Sequence, residues 1–244
     1  GIIQSSSATT VMVVGFVNSG LMSLTSAVWV IMGANIGTTI TGQLIAIDIT
    51  AIAPLIAFIG VAMIVFFKSK KLDAFGSVIG GLGILFIGME TMSNAMVPLR
   101  TMPEFVGLIS KFQNPFIGIL VGALFTALIQ SSSASVGILQ ALAKSGVMTL
   151  SSSIYVLFGQ NIGTCITSVL ASIGTSKNAK RTTIIHLTFN IIGTVIFVSI
   201  SMLFPFAHLV ESITPNNVAA QIANVHTIFN VATTLLLLPI GTKL

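Results

Sequence analysis

The sequence predicts an all-α integral membrane protein built from two inverted repeats, each with a re-entrant hairpin and a discontinuous transmembrane helix. Three observations lead to this prediction: an apolar composition, long segments without charge and a duplicated polar motif. Hydrophobic residues make up 54% of the 244 residues and charged residues 6%, with a mean hydropathy of +1.06. Since a soluble domain carries about a quarter charged residues, this composition excludes a soluble enzyme, a nucleic-acid-binding protein and a disordered chain.

The few charges and the single cysteine fit this class. The net charge of +5 comes from basic residues in short loops, a common signal of membrane topology. Cys165 lies in an apolar segment, so we predict an inert thiol without a disulfide. Because the sequence begins at Gly1 rather than Met, we expect further residues upstream. We predict a multi-pass protein of the cell membrane, in contact with the lipid bilayer.

The first four predicted helices lie in apolar sequence that charges rarely interrupt. Residues 1–47 and 49–67 contain no Asp, Glu, Lys or Arg, and a membrane-spanning helix needs about 20 apolar residues. We predict helices over residues 7–16, 25–47, 52–67 and 75–97. The first helix is too short to span and follows a polar cluster, so we expect half of a re-entrant hairpin there.

The remaining five predicted helices occupy residues 115–129, 133–143, 153–172, 183–204 and 219–238. Asn114 and Pro115 form a favourable cap and first-turn pair for the fifth helix. The charge-free segments here are 112–143, 145–176, 182–210 and 212–242. The sixth helix is again too short to span and again follows a polar cluster, which predicts a second re-entrant hairpin.

A duplicated segment is the strongest feature of the sequence. Residues 4–44 align without a gap on residues 130–170, offset by 126, with 19 identities in 41 positions. The motif Gln-Ser-Ser-Ser at 4–7 returns at 130–133, and Asn-Ile-Gly-Thr at 35–38 returns at 161–164. Chance similarity between apolar helices would preserve Leu and Val rather than these polar residues, so the pattern indicates an internal duplication.

Basic loops predict opposite orientations for the two copies. Two clusters follow the third and the seventh predicted helix: Lys68, Lys70 and Lys71, and Lys177, Lys180 and Arg181. Placing both clusters in the cytoplasm requires an even number of crossings between them. The number is even if the fourth and seventh helices span the membrane and the fifth and sixth form a hairpin that enters and leaves on the outside. The second copy is then inverted relative to the first, as in many secondary transporters. We predict a first repeat over residues 1–67 that lacks its N-terminal part, a second repeat over 68–206 and a C-terminal transmembrane helix over 207–244.

The duplicated polar residues suit a chamber that binds an anion together with a cation. Each Gln-Ser-Ser-Ser motif offers neutral hydroxyl and amide groups beside a half-helix N-terminus, which favours negative charge. Glycines on both sides of Asn35 and Asn161 favour an unwound turn, whose oxygen atoms suit a hard cation such as sodium. Since these motifs contain no Lys or Arg, co-bound cations and helix N-termini are the groups that can compensate the charge of a bound anion. Anion and cation binding would then depend on each other, which is the physical basis of symport.

The paired motifs resemble those of the type II sodium/phosphate cotransporter family. Residues 186–190 (His-Leu-Thr-Phe-Asn) and 226–230 (His-Thr-Ile-Phe-Asn) also resemble the His-x-x-Phe-Asn elements of that family, so the likeness covers nearly the whole chain. The resemblance implies sodium-coupled symport of inorganic phosphate by alternating access between two inverted repeats. We therefore predict a transporter rather than an enzyme. We expect no cofactor and Na+ as the coupling ion, and a homodimer is one assembly that the protein could form.

The resemblance also assigns roles to the duplicated residues. It places the Gln-Ser-Ser-Ser tips around the phosphate. It also places sodium ligands in the second copy, and Gln160 falls on a further ligand position where some members of the family have Ser. To these we add Asn35 and Asn161 as phosphate contacts and Thr38 as a sodium ligand. The predicted phosphate contacts are Gln4, Ser5, Ser6, Ser7, Ser131, Ser132, Ser133, Asn35 and Asn161. The predicted sodium ligands are Gln130, Ser131, Thr164, Thr167 and Thr38.

Several other polar residues allow more than one interpretation. His186 and Asn190 share a helix face, as do His226 and Asn230. These side chains either contact a ligand or join helices through hydrogen bonds. We expect Glu90 at a pore or an interface, Asp48 at a hydrated helix end and His208 at the membrane interface.

Four other functions compete with phosphate symport. The nearest is a sodium-coupled carrier of another small anion or solute on the same architecture. An intramembrane serine hydrolase would need one activated Ser beside a base, whereas three consecutive Ser occur twice, outside a Gly-x-Ser-x-Gly context. A channel would not accumulate phosphate against a gradient, and a structural subunit would not need the duplicated polar segments. Sodium-driven accumulation separates a symporter from a channel, and a requirement for both serine tips separates a symporter from a hydrolase.

Overall fold

A computed structural model describes residues 1–47, 49–67 and 69–243 of the protein, so the predictions for Asp48 and Lys68 lie outside the described residues. Regular secondary structure in the described part is helical. Helices α1 to α5 are, in order, Ser6–Asn18, Leu24–Gly37, Thr39–Ala46, Ala53–Phe66 and Lys70–Met96. Helices α6 to α10 are Pro103–Ser110, Pro115–Ile129, Ser132–Lys144, Leu150–Gly163 and Ile166–Ala171. Helices α11 to α13 are Lys177–Leu203, Phe206–Ile213 and Val218–Leu237.

Each of the nine predicted helices has a counterpart in this structure. Helix α7 has the predicted bounds because Asn114 Oδ1 accepts hydrogen bonds from the backbone N–H groups of Phe116 (3.0 Å) and Ile117 (3.4 Å). The second predicted helix is interrupted at Thr38, between α2 and α3, and the seventh is interrupted after Gly163, between α9 and α10. Both interruptions fall in the Asn-Ile-Gly-Thr motifs, where the sequence predicts a discontinuous helix.

Helices α6 and α12 have no counterpart among the predicted helices. Each has eight residues, and each carries an acidic side chain, Glu104 in α6 and Glu211 in α12. Pro103 stands in the first turn of α6, where its missing N–H is not needed. Long charge-free segments in the sequence do not reveal helices that are this short and carry a charge.

Among the described residues, five helical stretches are long and apolar enough to cross a membrane: Leu24–Ala46, Lys70–Thr101, Leu150–Ala171, Lys177–Leu203 and Val218–Gly241. A further pair, Pro103–Gln113 with Pro115–Ile129, is bent by 107°, as in a broken span or a re-entrant loop. Large apolar side chains such as Phe58, Phe116 and Leu128 point outward and are 68%, 84% and 83% exposed. Such a surface suits lipid, and the protein is a multi-pass membrane protein.

Helix α7 packs directly against α9 through glycines. A Cβ atom added to Gly159 would overlap the carbonyl oxygen of Ile119, and one added to Gly122 would overlap the carbonyl oxygen of Val156. Small residues let membrane helices approach until their backbones touch. Gly163 likewise faces Ala123 and Thr126, so the C-terminal half of α7 lies against the second Asn-Ile-Gly-Thr motif.

An aromatic cluster joins three helices that are rich in buried polar side chains, α9, α11 and α13. The ring of Phe158 in α9 stacks on Phe229 in α13 at 5.4 Å between centroids, and Phe197 in α11 lies 5.2 Å from Phe229. All three rings are buried, and each such pair contributes about 0.5–1.5 kcal/mol beyond area burial. The cluster therefore fixes α9, α11 and α13 relative to one another.

Candidate substrate site

Both Gln-Ser-Ser-Ser motifs begin with the same unusual backbone conformation. Gln4 has φ 55° and Gln130 has φ 60°, the left-handed region that residues other than glycine seldom adopt. In each motif the next serine caps the following helix: Ser5 Oγ accepts from the N–H of Ala8 (3.1 Å), and Ser131 Oγ accepts from the N–H of Ala134 (3.2 Å). The duplicated sequence therefore folds into a duplicated local structure.

The two motifs meet at their serines. Ser6 Oγ lies 3.3 Å from Ser132 Oγ, and both residues are nearly fully buried. Ser7 Oγ donates to the carbonyl of Gln130, and Ser133 Oγ donates to the carbonyl of Gln4, each at 3.4 Å. Exchanging residue n for residue n+126 converts each of these contacts into another of the set. The N-terminal ends of α1 and α8 thus come together with a local two-fold relationship.

The first Asn-Ile-Gly-Thr motif extends this group of hydroxyls. Thr38 Oγ1 lies 3.3 Å from Ser132 Oγ and 3.4 Å from Ser133 Oγ. Thr41 Oγ1 donates to Gln4 Oε1 and lies within hydrogen-bond distance of Ser133 Oγ. We name this group the tip cluster: Gln4, Ser6, Ser7, Thr38, Thr41, Ser132 and Ser133. It consists of neutral hydroxyl and amide groups contributed by both copies.

A cavity of about 370 Å³ adjoins the tip cluster. It shares Gln4, Ser6 and Thr38 with the cluster, and the rest of its lining comes from the chain start, α1 and α2: Gly1, Ile2, Ile3, Ser5, Thr9, Val30, Gly33, Ala34 and Gly37. The volume lies within the range of small-molecule sites. Hydroxyl groups and the N-terminus of α1 line this cavity and offer hydrogen-bond donors to an oxyanion.

The hydroxyl groups of the predicted sodium ligands in the second copy bond within their own chain segments rather than to the first copy. Thr164 Oγ1 donates to the carbonyl of Asn161 (2.8 Å), and Thr167 Oγ1 donates to the carbonyl of Thr164 (3.1 Å), so both hydroxyls bond within their own chain segment. Ser131 Oγ serves as the cap of α8, and Gln130 is exposed. Within the described part of the chain, Gln130 forms no hydrogen bond with Thr164 or Thr167.

Three buried oxygen atoms near this segment have no hydrogen-bond partner among the described residues. They are Gln160 Oε1 in α9, Ser135 Oγ in α8 and Thr126 Oγ1 in α7. Gln160 Nε2 donates to the carbonyl of Ser135 (3.0 Å), and Thr126 Cβ lies beside Gly163. The three residues therefore lie near one another, where α8 and α9 pack close to the C-terminal end of α7. Unpaired buried oxygens are costly unless a water or an ion binds them, and neutral oxygens of this kind suit sodium.

The Na+/Pi-cotransporter family pattern matches residues 1–94 and 101–229 of this chain. The chain belongs to the Na+/Pi-cotransporter family. This membership confirms the resemblance drawn from the paired motifs and the prediction of a transporter rather than an enzyme. No solved structure matches the chain.

Three relatives illustrate the range of the Na+/Pi-cotransporter family. YqeW of Bacillus subtilis is 34% identical over 98% of this chain and 77% of its own length. YjbB of Escherichia coli K12, whose name provisionally assigns it to inorganic phosphate export, is 29% identical over 85% of this chain. Human sodium-dependent phosphate transport protein 2B is 32% identical over 40% of this chain. The chain spans 37% of the length of YjbB and 15% of the length of the human protein.

The two His-x-x-Phe-Asn elements of the family face the two Asn-Ile-Gly-Thr motifs. His186 Nε2 lies 3.3 Å from Asn35 Oδ1, and Asn230 Nδ2 lies 3.4 Å from Asn161 Oδ1. His186 and Asn230 are fully buried. Of the two interpretations that the sequence leaves open, these contacts favour hydrogen bonds between helices. These pairings do not follow from the sequence, since the partners stand 151 and 69 residues apart.

The other candidates lie away from the tip cluster. Glu90 is exposed on α5, and His208 is exposed on α12, where its Nδ1 lies 3.2 Å from Glu211. Cys165 is buried as a free thiol, as the sequence predicts. None of these side chains contributes a hydrogen bond to the tip cluster in the described part of the chain.

Proposed function

We propose that the protein is a sodium-coupled symporter of inorganic phosphate that works by alternating access, with phosphate held between the two Gln-Ser-Ser-Ser tips. One observation carries the proposal: the reciprocal contact between Ser6, Ser7, Ser132 and Ser133 across the two copies. It gathers neutral donors from both copies at two helix N-termini, beside a cavity. Family membership and the name of the human relative support phosphate and sodium as the substrates.

Charge compensation explains why sodium and phosphate would bind together. The tip cluster holds no cationic side chain, and an anion without compensation in a medium of low dielectric constant is strongly disfavoured. Helix N-termini supply about half a positive charge each, which is less than a phosphate dianion requires. A sodium ion nearby would supply the rest, and each ion would then raise the affinity for the other.

The proposed ligand sets follow the sequence prediction. The phosphate would contact Gln4, Ser5, Ser6, Ser7, Asn35, Ser131, Ser132, Ser133 and Asn161. Ser5 and Ser131 use their hydroxyls as caps, so we expect them to contribute backbone N–H groups. Sodium would bind among Thr38, Gln130, Ser131, Thr164 and Thr167, and the unpaired Oε1 of Gln160 supports a cation in the second copy.

The proposed transport cycle requires two inverted repeats with re-entrant hairpins. The reciprocal tip contacts support a two-fold relationship between the copies, and the bent pair before α8 supports a re-entrant path. We propose repeats over residues 1–67 and 68–206, with a C-terminal helix after them. A homodimer is part of the same proposal, and native mass spectrometry of the protein in detergent would test it.

The decisive experiment is phosphate uptake into proteoliposomes. An inward sodium gradient should drive accumulation of labelled phosphate above the external concentration, and an equal potassium gradient should not. Collapse of the gradient with a sodium ionophore should abolish accumulation while leaving the vesicles intact. Uptake that is unchanged in potassium would contradict the coupling.

A carrier of another small anion is the second candidate, because hydroxyl and N–H donors recognise any compact oxyanion. Unlabelled sulfate in tenfold excess separates the two candidates. We expect it to leave phosphate uptake nearly unchanged, because the hydrogen phosphate dianion carries an O–H donor that sulfate lacks. Strong inhibition by sulfate, with sodium-driven uptake of labelled sulfate, would favour the second candidate.

A further inference from the structure

His186 in α11 connects the interrupted helices of both copies. Its Nε2 lies 3.3 Å from Asn35 Oδ1 in α2, and its Nδ1 lies 3.3 Å from Ser168 Oγ in α10. All three residues are buried, with exposed fractions of 0% for His186 and Ser168 and 4% for Asn35. One imidazole therefore joins the first Asn-Ile-Gly-Thr segment to the helix that follows the second.

The proton of Ser168 determines which nitrogen of this imidazole is protonated. Ser168 Oγ donates its single hydrogen to the carbonyl of Cys165 at 2.8 Å, which is shorter than its 3.3 Å contact with His186. The hydroxyl is then an acceptor toward Nδ1, and Nδ1 must carry hydrogen. A neutral imidazole, the form that suits complete burial among uncharged groups, has one N–H, so Nε2 is an acceptor.

This assignment changes the orientation of the Asn35 amide. With Oδ1 toward Nε2, two acceptors would face each other, while Asn35 Nδ2 is buried without a hydrogen-bond partner. Rotating the amide by half a turn lets Nδ2 donate to His186 Nε2 and moves no other atom. The carbonyl oxygen of Asn35 then takes the buried, unpaired position.

We propose that His186 is a positioning residue that turns the Asn35 carbonyl oxygen away from the imidazole, where it serves as a sodium ligand of the first copy. Because a carbonyl oxygen donates no hydrogen bond to an anion, this assignment gives Asn35 to sodium in place of the phosphate contact proposed above. The proposal rests on the proposed sodium-coupled function. Asn35 is three residues before Thr38 and shares its helix face, and Thr38 already contacts the tip cluster through Ser132. The counterpart Asn161 is different, because both ends of its amide are used, by the carbonyl of Leu157 and by Asn230.

The first experiment reads the tautomer directly. In protein labelled with 15N-histidine and reconstituted in lipid, each ring nitrogen gives a signal that reports whether it is protonated. The chain has three histidines, and the His186 signals are those that persist in both His208→Phe and His226→Phe. A protonated Nδ1 and a bare Nε2 support the proposal. A protonated Nε2 would overturn it, because Asn35 would then present its NH2 group.

The second experiment separates sodium binding from phosphate binding. Asn35→Leu should raise the sodium concentration for half-maximal uptake about tenfold, the effect of one lost ligand worth about 1.4 kcal/mol, with the KM for phosphate at saturating sodium within about twofold. His186→Phe should give the same shift, and the double variant should add little, because both changes remove one interaction. His208→Phe, on the exposed face of α12, is the control.

Other results of the second experiment overturn the proposal. A raised KM for phosphate with unchanged sodium dependence would mean that Asn35 serves the anion, and unchanged values for both ions would mean that it serves neither. If the variants do not fold, the nitrogen spectrum of the wild-type protein still decides the orientation. Absence of sodium-dependent uptake in the wild-type protein would instead contradict the proposed function, which the spectrum does not test.

Discussion

At the scale of single residues, the contact between the two copies consists of hydroxyl groups. Ser6 and Ser132 lie 3.3 Å apart, and Ser7 and Ser133 each donate to a backbone carbonyl of the other motif. A hydrogen bond to a charged group contributes about 1.5–3 kcal/mol, roughly twice the value for a neutral pair. Removing one hydroxyl would therefore weaken phosphate binding more than it weakens the fold.

Ser6→Ala and Ser132→Ala should each raise the KM for phosphate about tenfold. The reason is the loss of one donor at the position where both tips meet. Ser19→Ala and Ser145→Ala form a control pair with the same offset of 126, since their hydroxyls bond within their own turns. Initial rates of uptake over a range of phosphate concentrations provide the measurement, and an unchanged KM in both tip variants would place the site elsewhere.

Asn114→Ala should lower the stability of the protein by about 1 kcal/mol, because it removes the cap of α7. The midpoint of thermal unfolding in detergent should fall accordingly. Asn94→Ala, at an exposed position of α5, is the control and should leave the midpoint unchanged. Equal midpoints for the two variants would show that the cap contributes nothing.

At the scale of helices, glycines in the two copies have different surroundings. Gly159 in α9 faces the backbone of α7, whereas a Cβ at the equivalent Gly33 in α2 would meet nothing within 4 Å among the described residues. The same motif therefore supports a tight helix contact in the second copy and lines the cavity in the first. Duplicated sequence does not ensure duplicated packing, because packing depends on the neighbouring segment as well.

Gly159→Ala should destabilise the protein by about 1–3 kcal/mol or prevent its folding, since the added methyl group overlaps α7. Gly33→Ala is the matched control and should be tolerated. Fluorescence-detected size exclusion after heating compares the two variants at low expression levels. A loss of stability in Gly33→Ala equal to that in Gly159→Ala would indicate that another segment packs on α2.

At the scale of the whole molecule, most interactions at the site cross from one copy to the other. Thr38 of the first copy contacts Ser132 and Ser133 of the second, and His186 binds side chains from both. The aromatic cluster fixes α9, α11 and α13 behind these contacts. Movement of one copy relative to the other would therefore change the site directly.

A cross-link between the tips should stop transport. In a Cys165→Ala background, the pair Ser6→Cys and Ser132→Cys should form a disulfide on mild oxidation, because the two hydroxyls lie 3.3 Å apart. Uptake should fall to background and recover with reductant. Each single cysteine variant is the control and should be insensitive to oxidation. Full uptake by the cross-linked protein would show that the tips need not separate.

The sequence predicts the parts of this site but not all of their connections. The bounds of α7 follow from Asn114 and Pro115, and the meeting of the tips follows from the duplicated polar motif. The pairing of Thr38 with serines of the other copy does not follow, because two similar copies offer each hydroxyl equivalent partners. The contact of His186 with Asn35 is also unpredictable, since it depends on how α11 packs between the copies.

The reciprocal bonds between the serine tips have a consequence for selectivity. A solute that binds between the tips must replace hydrogen bonds that the tips make with each other. Its affinity therefore depends on the difference in free energy between its own hydrogen bonds to the tips and the bonds that it replaces. A weakly accepting solute gains nothing from this exchange, whereas a strongly accepting oxyanion does. In the proposed transport cycle, the mutual bonding of the serines would set a threshold of acceptor strength that a solute must exceed to bind.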